Sequence, residues 1–302
     1  MTISRIDLTE ANGYILEEQG SQVIQDLIAN SAVERYARRE AMASRTKTVP
    51  RFVADAPEVV AEGDCIPAAS AMLDDVVLTA QKYAKLFHIS EEDLNDSLVD
   101  VLSTYKREWA SRWARKFDNA TLAVDVAKTG TDVAPYQSLY YDVRDNTSNW
   151  DETAGALTFA KLNALVATVE NSSKYDAANT VFMAHPRMLA EIRGMVQGVN
   201  NELVLPNPID ATPGSLFGYP LVVSYGAAVS STATDSPAGN PLLICGNRQM
   251  LVNGIRGGVE SVVSRDAEFN RDGVVLKTRI RRGFAVADAG AFGILEKTAG
   301  GN

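Results

Sequence analysis

An α+β fold is what this sequence predicts, and three observations predict it. Apolar residues recur every three or four positions from Leu98 to Val124 without a break, the mark of one very long helix. Two β-prone runs, 45–53 and 76–89, flank a stretch in which Pro57, Gly63 and Pro67 stop any helix. Short helical and extended patterns then alternate from Phe159 to Ile244, and the chain is mainly β from there to Leu295.

Length and composition set the frame. At 302 residues, one large or two interleaved domains are expected, and 46% apolar residues is enough for a substantial core. A net charge of −9 argues against a general grip on nucleic acid, which needs clustered Lys and Arg. Cys65 and Cys245 form no Cys-x-x-Cys pair, so neither zinc nor redox chemistry is indicated. The start, Met1 to Asp7, lacks the pattern of a secretion signal, and no apolar run approaches the ~20 residues of a membrane span. A soluble intracellular product, with no membrane partner, is expected.

Residues 1–44 read as an arm with one amphipathic helix, Val23, Ile24, Leu27 and Ile28 capped by Ser21. That stripe needs cover from this chain or another copy. Residues 45–82 read as two strands joined by a Pro- and Gly-containing tip. A lone two-stranded hairpin is marginal in water, so it either lies flat on its own domain or rests on a partner. Ser90-Glu91-Glu92-Asp93 approximates a capping box, with Ile89 and Leu94 placed to close a hydrophobic staple.

The long helix is expected from about Ser97 to Lys128, ~45 Å at about 1.5 Å per residue. Its apolar face carries Leu98, Leu102, Tyr105, Trp109, Trp113, Phe117, Ala120 and Val124 and reads as core. The other face carries Lys106, Arg107, Arg112, Arg115 and Lys116. These cations fit a contact with DNA or an acidic scaffold, or, more ordinarily, a solvated face with some ion pairs between subunits. Residues 129–152 read as a surface loop. A helix with Thr158 near its start holds Phe159, Leu162, Leu165, Val166 and Val169. Residues 180–184 form a buried strand, and Pro186 opens a further helix. Residues 200–214 read as loop, and 221–223 and 242–244 as strands around a Ser/Thr/Gly-rich tip at 226–240.

Catalytic patterns are weak. His88 and His185 have no Gly-x-Ser-x-Gly elbow or cysteine nucleophile nearby in sequence, and both read as structural or solvated. No phosphate loop or dinucleotide turn occurs, and 254–258, though glycine-rich, reads as a turn between strands. Asp74-Asp75 suits a solvated surface and Glu91-Glu92-Asp93 a helix N-terminus. Clustered metal ligands are lacking. No enzyme activity, metal or cofactor is expected.

Four blocks in order carry a resemblance. They are Val59-Val60-Ala61-Glu62-Gly63 with Ile66-Pro67, then His88 to Leu94 feeding the long helix, then Leu216 to Val222, and finally Arg282 to Val286. Phe269-Asn270-Arg271-Asp272 with Val274 to Lys277 adds a fifth. Together they resemble the major capsid proteins of tailed bacteriophages, of the Hong Kong 97 fold. The resemblance implies a division into an arm (1–44), an extended loop reaching over a neighbour (45–82), a peripheral domain with the spine helix (83–152), an axial domain (153–250) and a return to the peripheral domain (251–302). It implies pentamers and hexamers of one chain tiling an icosahedral virion shell, assembled in the host cytoplasm around double-stranded DNA held without sequence specificity. A portal and a decoration protein are further partners it allows. A weakly repulsive acidic wall would let that DNA move, although −9 equally suits plain solubility.

Phe52, Val59, Val60, Glu62, Ile66, Pro67, Phe269 and Asn270 are the expected assembly contacts, and Leu102, Tyr105, Trp109, Trp113 and Phe117 the spine core. Some family members join a loop lysine to a neighbour's asparagine. Asn270 lies near the acceptor's place, yet residues 52–81 hold no lysine, so no such cross-link is expected. The chain starts almost at the arm, which points to a separate scaffolding protein. An encapsulin-like compartment enclosing a cargo enzyme is the alternative on the same fold, and a soluble enzyme on an unrelated α/β fold a third reading.

Overall fold

The run Leu242–Asn247 is buried at every position because its strand lies between two cores. The computed structural model describes residues 31–53, 59–60, 65, 72–96, 101–197, 202–203, 214–268 and 271–298. Six of its strands form one sheet: β5 (Trp150–Thr153), β6 (Thr180–Ala184), β9 (Ser215–Leu216), β10 (Tyr219–Val223), β11 (Leu242–Asn247) and β15 (Phe292–Lys297). Their order is β5-β15-β11-β6-β10-β9. Val181, Met183, Leu242, Ile244, Phe292 and Ile294 belong to one core, and Phe182, Ala184, Leu243, Cys245 and Leu295 to the other. Side chains alternate along a strand, so a sheet covered on both faces requires apolar residues at consecutive positions.

One of these cores is closed by α5 (Phe159–Glu170) and α6 (Pro186–Gly194), as their apolar spacing predicts. Thr158 caps α5, and His185 caps α6 ahead of the proline at its first turn. The other core is closed by α1 (Ala32–Tyr36), α3 (Val101–Leu122) and α4 (Leu139–Asn146). Helix α4, capped by Ser138, corrects the expected surface loop at 129–152: Tyr136, Leu139, Tyr140 and Val143 are all buried. Helix α3 spans 22 residues, about 33 Å, and stops at Leu122 rather than Lys128. Ala123 and Val124 beyond it are buried in extended chain, with Val124 bridging to Ser230.

A second sheet is built around β14 (Gly273–Val286), 14 residues long. It pairs with β12 (Leu251–Ile255), β13 (Glu260–Glu268) and β4 (Gln81–Ser90), while β1 (Arg38–Ala41) lies parallel to β12. Gly257, at φ +76, turns the chain between β12 and β13, as read from its glycines. After β4, Ser90 Oγ accepts the Glu92 N–H (3.3 Å) at the start of α2 (Glu91–Asp96). A small pair, β7 (Val196–Gln197) with β8 (Glu202–Leu203), completes the described strands.

Three expectations are corrected here. The run 76–89 is two strands, because the chain turns at Ala80, whose N–H bonds Arg45 O. The part before the turn is β3 (Met72–Thr79), paired over eight residues with β2 (Thr46–Val53) in a hairpin outside both large sheets. Strands β10 and β11 are not neighbours, since β6 lies between them, and 226–240 is not a free tip. Ala227, Ala228 and Ala233 are buried against α3. The segment 251–302 is divided between the sheets, because β15 lies beside β11 in the six-stranded one. The expected arm helix at 21–28 falls outside the described residues.

Candidate assembly surfaces

The described end of the arm is fastened by buried polar groups. Ser31 caps α1, and Asp118 on α3 receives Ser31 Oγ (2.6 Å), the N–H groups of Ala32 (2.9 Å) and Val33 (3.3 Å), and Ser224 Oγ (2.7 Å). One carboxylate therefore joins the arm, the long helix and the chain just after β10. Burial pushes its pKa up, and those four donors pull it back down. Glu34, one turn along α1, forms a buried ion pair with Arg282 of β14. Beside it, Asn119 Nδ2 donates to Gly226 O and Ala228 O, and its Oδ1 accepts from Ser230 and Thr234. The side chain thus holds 226–234 as a strand neighbour would.

The spine stripe divides in two. Trp113, Phe117, Ala120 and Val124 are buried, and the Trp109, Trp113 and Phe117 rings stack with centroids 6.5 and 4.9 Å apart. Nearer the N-terminus, Leu102 and Trp109 are half-buried and Tyr105 is 38% exposed, which corrects its assignment to the core. Tyr105 stacks on Phe87 at the mouth of an apolar groove of about 320 Å³, between α3 and strands β4 and β14. Leu276 and Trp109 line it, with Lys85, Glu108 and Arg112 at its edge. The helix thus overhangs its own sheet by two turns.

Nor do the helix cations share one environment. Lys106 is buried, against the expected solvated face. Arg112 pairs with Glu108 and Lys116 with Asp132, while Arg115 lies over the Tyr225 ring at 5.0 Å.

The hairpin is seated at its root. Met42, Leu78, Ala80 and Val252 form a small core there, and Met42 Sδ would lie 2.4 Å from a Cβ at Gly254. Further out, Arg51 donates to Ala287 O (2.5 Å) and pairs with Asp74 and Asp288. Of the expected loop contacts, Val59 is fully exposed and Val60 half-buried. Phe52 lies in β2, while Glu62, Ile66, Pro67, Phe269 and Asn270 fall outside the described residues.

His185 Nδ1 accepts the Arg187 N–H (3.2 Å), and burial, aided by Arg187, lowers its pKa to about 4. His88 pairs with Glu268 (2.9 Å) on the surface. The thiol of Cys245 is buried, which raises its pKa. Among the described residues no three His, Cys, Asp or Glu side chains converge as a metal site, and no helix is long and apolar enough to cross a membrane.

The sequence profile of the phage capsid family matches residues 12–297. The chain belongs to that family. A curated relative, the probable major capsid protein gp17 of Mycobacterium phage L5, is 24% identical over 111 residues. That match spans 36% of this chain and 34% of the relative, about a third of each. Solved structures match far more widely. A chain from Mycobacterium phage Ogopogo superposes with a TM-score of 0.70 at 13% identity, covering 89% of this chain and 92% of that one. The capsid of a native GTA particle gives 0.68 at 17% identity, covering 89% and 90%, and Microbacterium phage Oxtober96 gives 0.67 at 17%, covering 89% and 91%. The fold is that of the Hong Kong 97-like capsid proteins.

As a family member, the chain carries its recognisable blocks at element junctions. Phe217 (φ 52) and Gly218 (φ 85) make the tight turn between β9 and β10, the conformation for which glycine is suited. The Arg282-Gly283 pair has two roles: Arg282 holds the arm, and Gly283 lets Met42 and the backbone of Thr79 approach. Asp118, Asn119, Glu34 and Arg51 were missed by sequence reasoning. Their partners lie from 23 to 248 positions away in the chain, so no local pattern marks them.

Proposed function

We infer that this chain is a major capsid protein whose copies close, as pentamers and hexamers, into the icosahedral shell around the double-stranded DNA of a tailed phage. The observation that carries this is the eight-pair hairpin outside both large sheets, on a chain whose fold matches capsid proteins over nearly its whole length. A two-stranded ribbon of that length is not stable alone and needs a surface to lie on. A neighbouring copy supplies one, and repetition of such contacts around symmetry axes closes a shell.

In this reading the hairpin and its tip are the extended loop, α3 is the spine of a peripheral domain built on the β14 sheet, and the six-stranded sheet is the axial domain. Val59, Val60, Glu62, Ile66, Pro67, Phe52, Phe269 and Asn270 are its assembly contacts. A separate scaffolding protein, a portal and a decoration protein are the further partners, and assembly takes place in the host cytoplasm. Electron microscopy of the purified protein, alone and co-expressed with its scaffold, tests the reading. Closed polyhedral particles or five- and six-membered rings are expected, and a monodisperse monomer under both conditions would overturn it.

A further inference from the structure

On the face of the β14 sheet opposite α3, a row of cations stands in a chain that is otherwise acidic. Residues facing each other across antiparallel strands share a face, so the register places Lys82 beside Arg281, Ala84 beside Arg279 and Glu260, and Leu86 beside Lys277 and Val262. Lys82, Lys277, Leu86 and Val262 are exposed. Arg279 holds Glu260 (2.6 Å), while Lys82, Lys277 and Arg281 make no ion pair with any described residue. Alternate residues of β14 form the opposite face, where Leu276, Ile280 and Phe284 are buried.

The complementary charge lies in the segment that the hairpin carries. Residues 54–71 hold Asp55, Glu58, Glu62 and Asp64 and no Lys, Arg or His. We propose that the Lys82–Lys277–Arg279–Arg281 face of one copy receives the acidic 54–71 segment of a second copy, an electrostatic seat between subunits; this rests on the shell reading above.

The fold itself excludes the same copy's segment. Thr79, at the hairpin root, lies against Gly283, and Arg51, six residues into the hairpin, bonds Ala287 O. The hairpin therefore runs along β14 toward its C-terminal end and past it, whereas the cations lie toward the other end. Eight pairs at about 3.3 Å each carry the ends of β2 and β3 roughly 26 Å from the root. Leu86 and Val262 on the same face offer apolar contact to Val59 and Val60, both present in the segment.

A charge exchange tests this. Lys277→Glu with Arg281→Glu, and separately Glu58→Lys with Glu62→Lys, are each expected to lower the yield of closed particles by at least about tenfold, since like charges would then face each other. The four changes together should restore particles, and raised salt should weaken wild-type assembly. Circular dichroism melts of unassembled subunits report folding, and the loop pair lies outside both sheets, so it remains decisive if the sheet pair misfolds. Normal assembly of either reversed pair, or no rescue by the combination of two folded pairs, overturns the proposal. So does loss of binding to a short DNA duplex by Lys277→Glu, Arg281→Glu subunits that still form shells, which would make the face a DNA contact. Wild-type particles are the separate control: their absence overturns the shell reading itself.

Discussion

Glu34 and Arg282 form a buried ion pair across 248 positions of sequence, and through it the root of the arm is fastened to the central strand of a sheet. The Arg282 guanidinium also donates to Gly257 O (3.0 Å) and lies 5.9 Å from the Trp113 ring. Each charge is tolerable in the core only because the other is there.

Removing one partner is therefore worse than removing both. Arg282→Met is expected to destabilise the subunit by about 3–5 kcal/mol, leaving a carboxylate buried and unpaired, while Glu34→Leu with Arg282→Met together should recover most of the loss. Urea unfolding of unassembled subunits measures both. Equal losses in the single and double variants would show that the pair is not coupled.

The two ends of α3 should respond differently to truncation. Phe117 is fully buried and stacked, so Phe117→Ala is expected to cost about 3–5 kcal/mol of subunit stability. Tyr105 is partly exposed at the groove, and Tyr105→Ala should cost under about 1 kcal/mol. Trp109→Asp, beside the stacked Trp113, is expected to spoil both folding and assembly. Thermal melts paired with particle yields separate these cases.

His185 gives the subunit a pH dependence of known sign. Its pKa is about 4 in the fold against 6.5 ordinarily, so between those values the unfolded chain binds the extra proton. Its contribution is fully present above pH 6.5 and is lost as the pH falls toward 4. The wild type should lose roughly 2 kcal/mol more than His185→Asn, whose amide retains a cap, between neutral pH and pH ~4.5. Urea midpoints across that range test it; parallel curves would show that His185 does not titrate differently in the fold.

Phe52 lies in β2, outside both large sheets. Phe52→Asp is expected to leave the subunit's melting transition within about 2 °C of wild type while abolishing closed particles. Normal shells from that variant would remove the hairpin from the assembly contacts.

Shells of this chain should also fall apart into single chains when boiled in detergent. Residues 52–81 contain no lysine, so a loop amine cannot form an amide with an asparagine of a neighbour. High-mass ladders on denaturing gels would contradict this.

Much of the fold was legible because it rests on local rules. Caps and spacing announced α5 and α6, and Thr180–Ala184 is the buried strand it reads as. The long helix was found, but its apolar stripe did not reveal that only the Trp113 end is covered. The segment 129–152 was misread because Tyr136, Tyr140 and Val143 are interspersed with polar residues that alone suggest a loop. Asp118 and Asn119 are the clearest misses among the anchoring residues. A polar pair on a helix reads as solvated, and only the chain packed against it shows that both are buried and bonded.

By itself the sequence determined which segments are helix or strand, the order of the family's blocks and the charge of each segment. Periodicity, caps and composition depend on near neighbours and need no knowledge of the rest of the chain. Only the tertiary structure decided where β15 pairs, that the chain turns at Ala80, which end of α3 is covered and that four cations share one sheet face. Those depend on contacts between distant residues, and many pairings are compatible with the same local pattern until packing selects one.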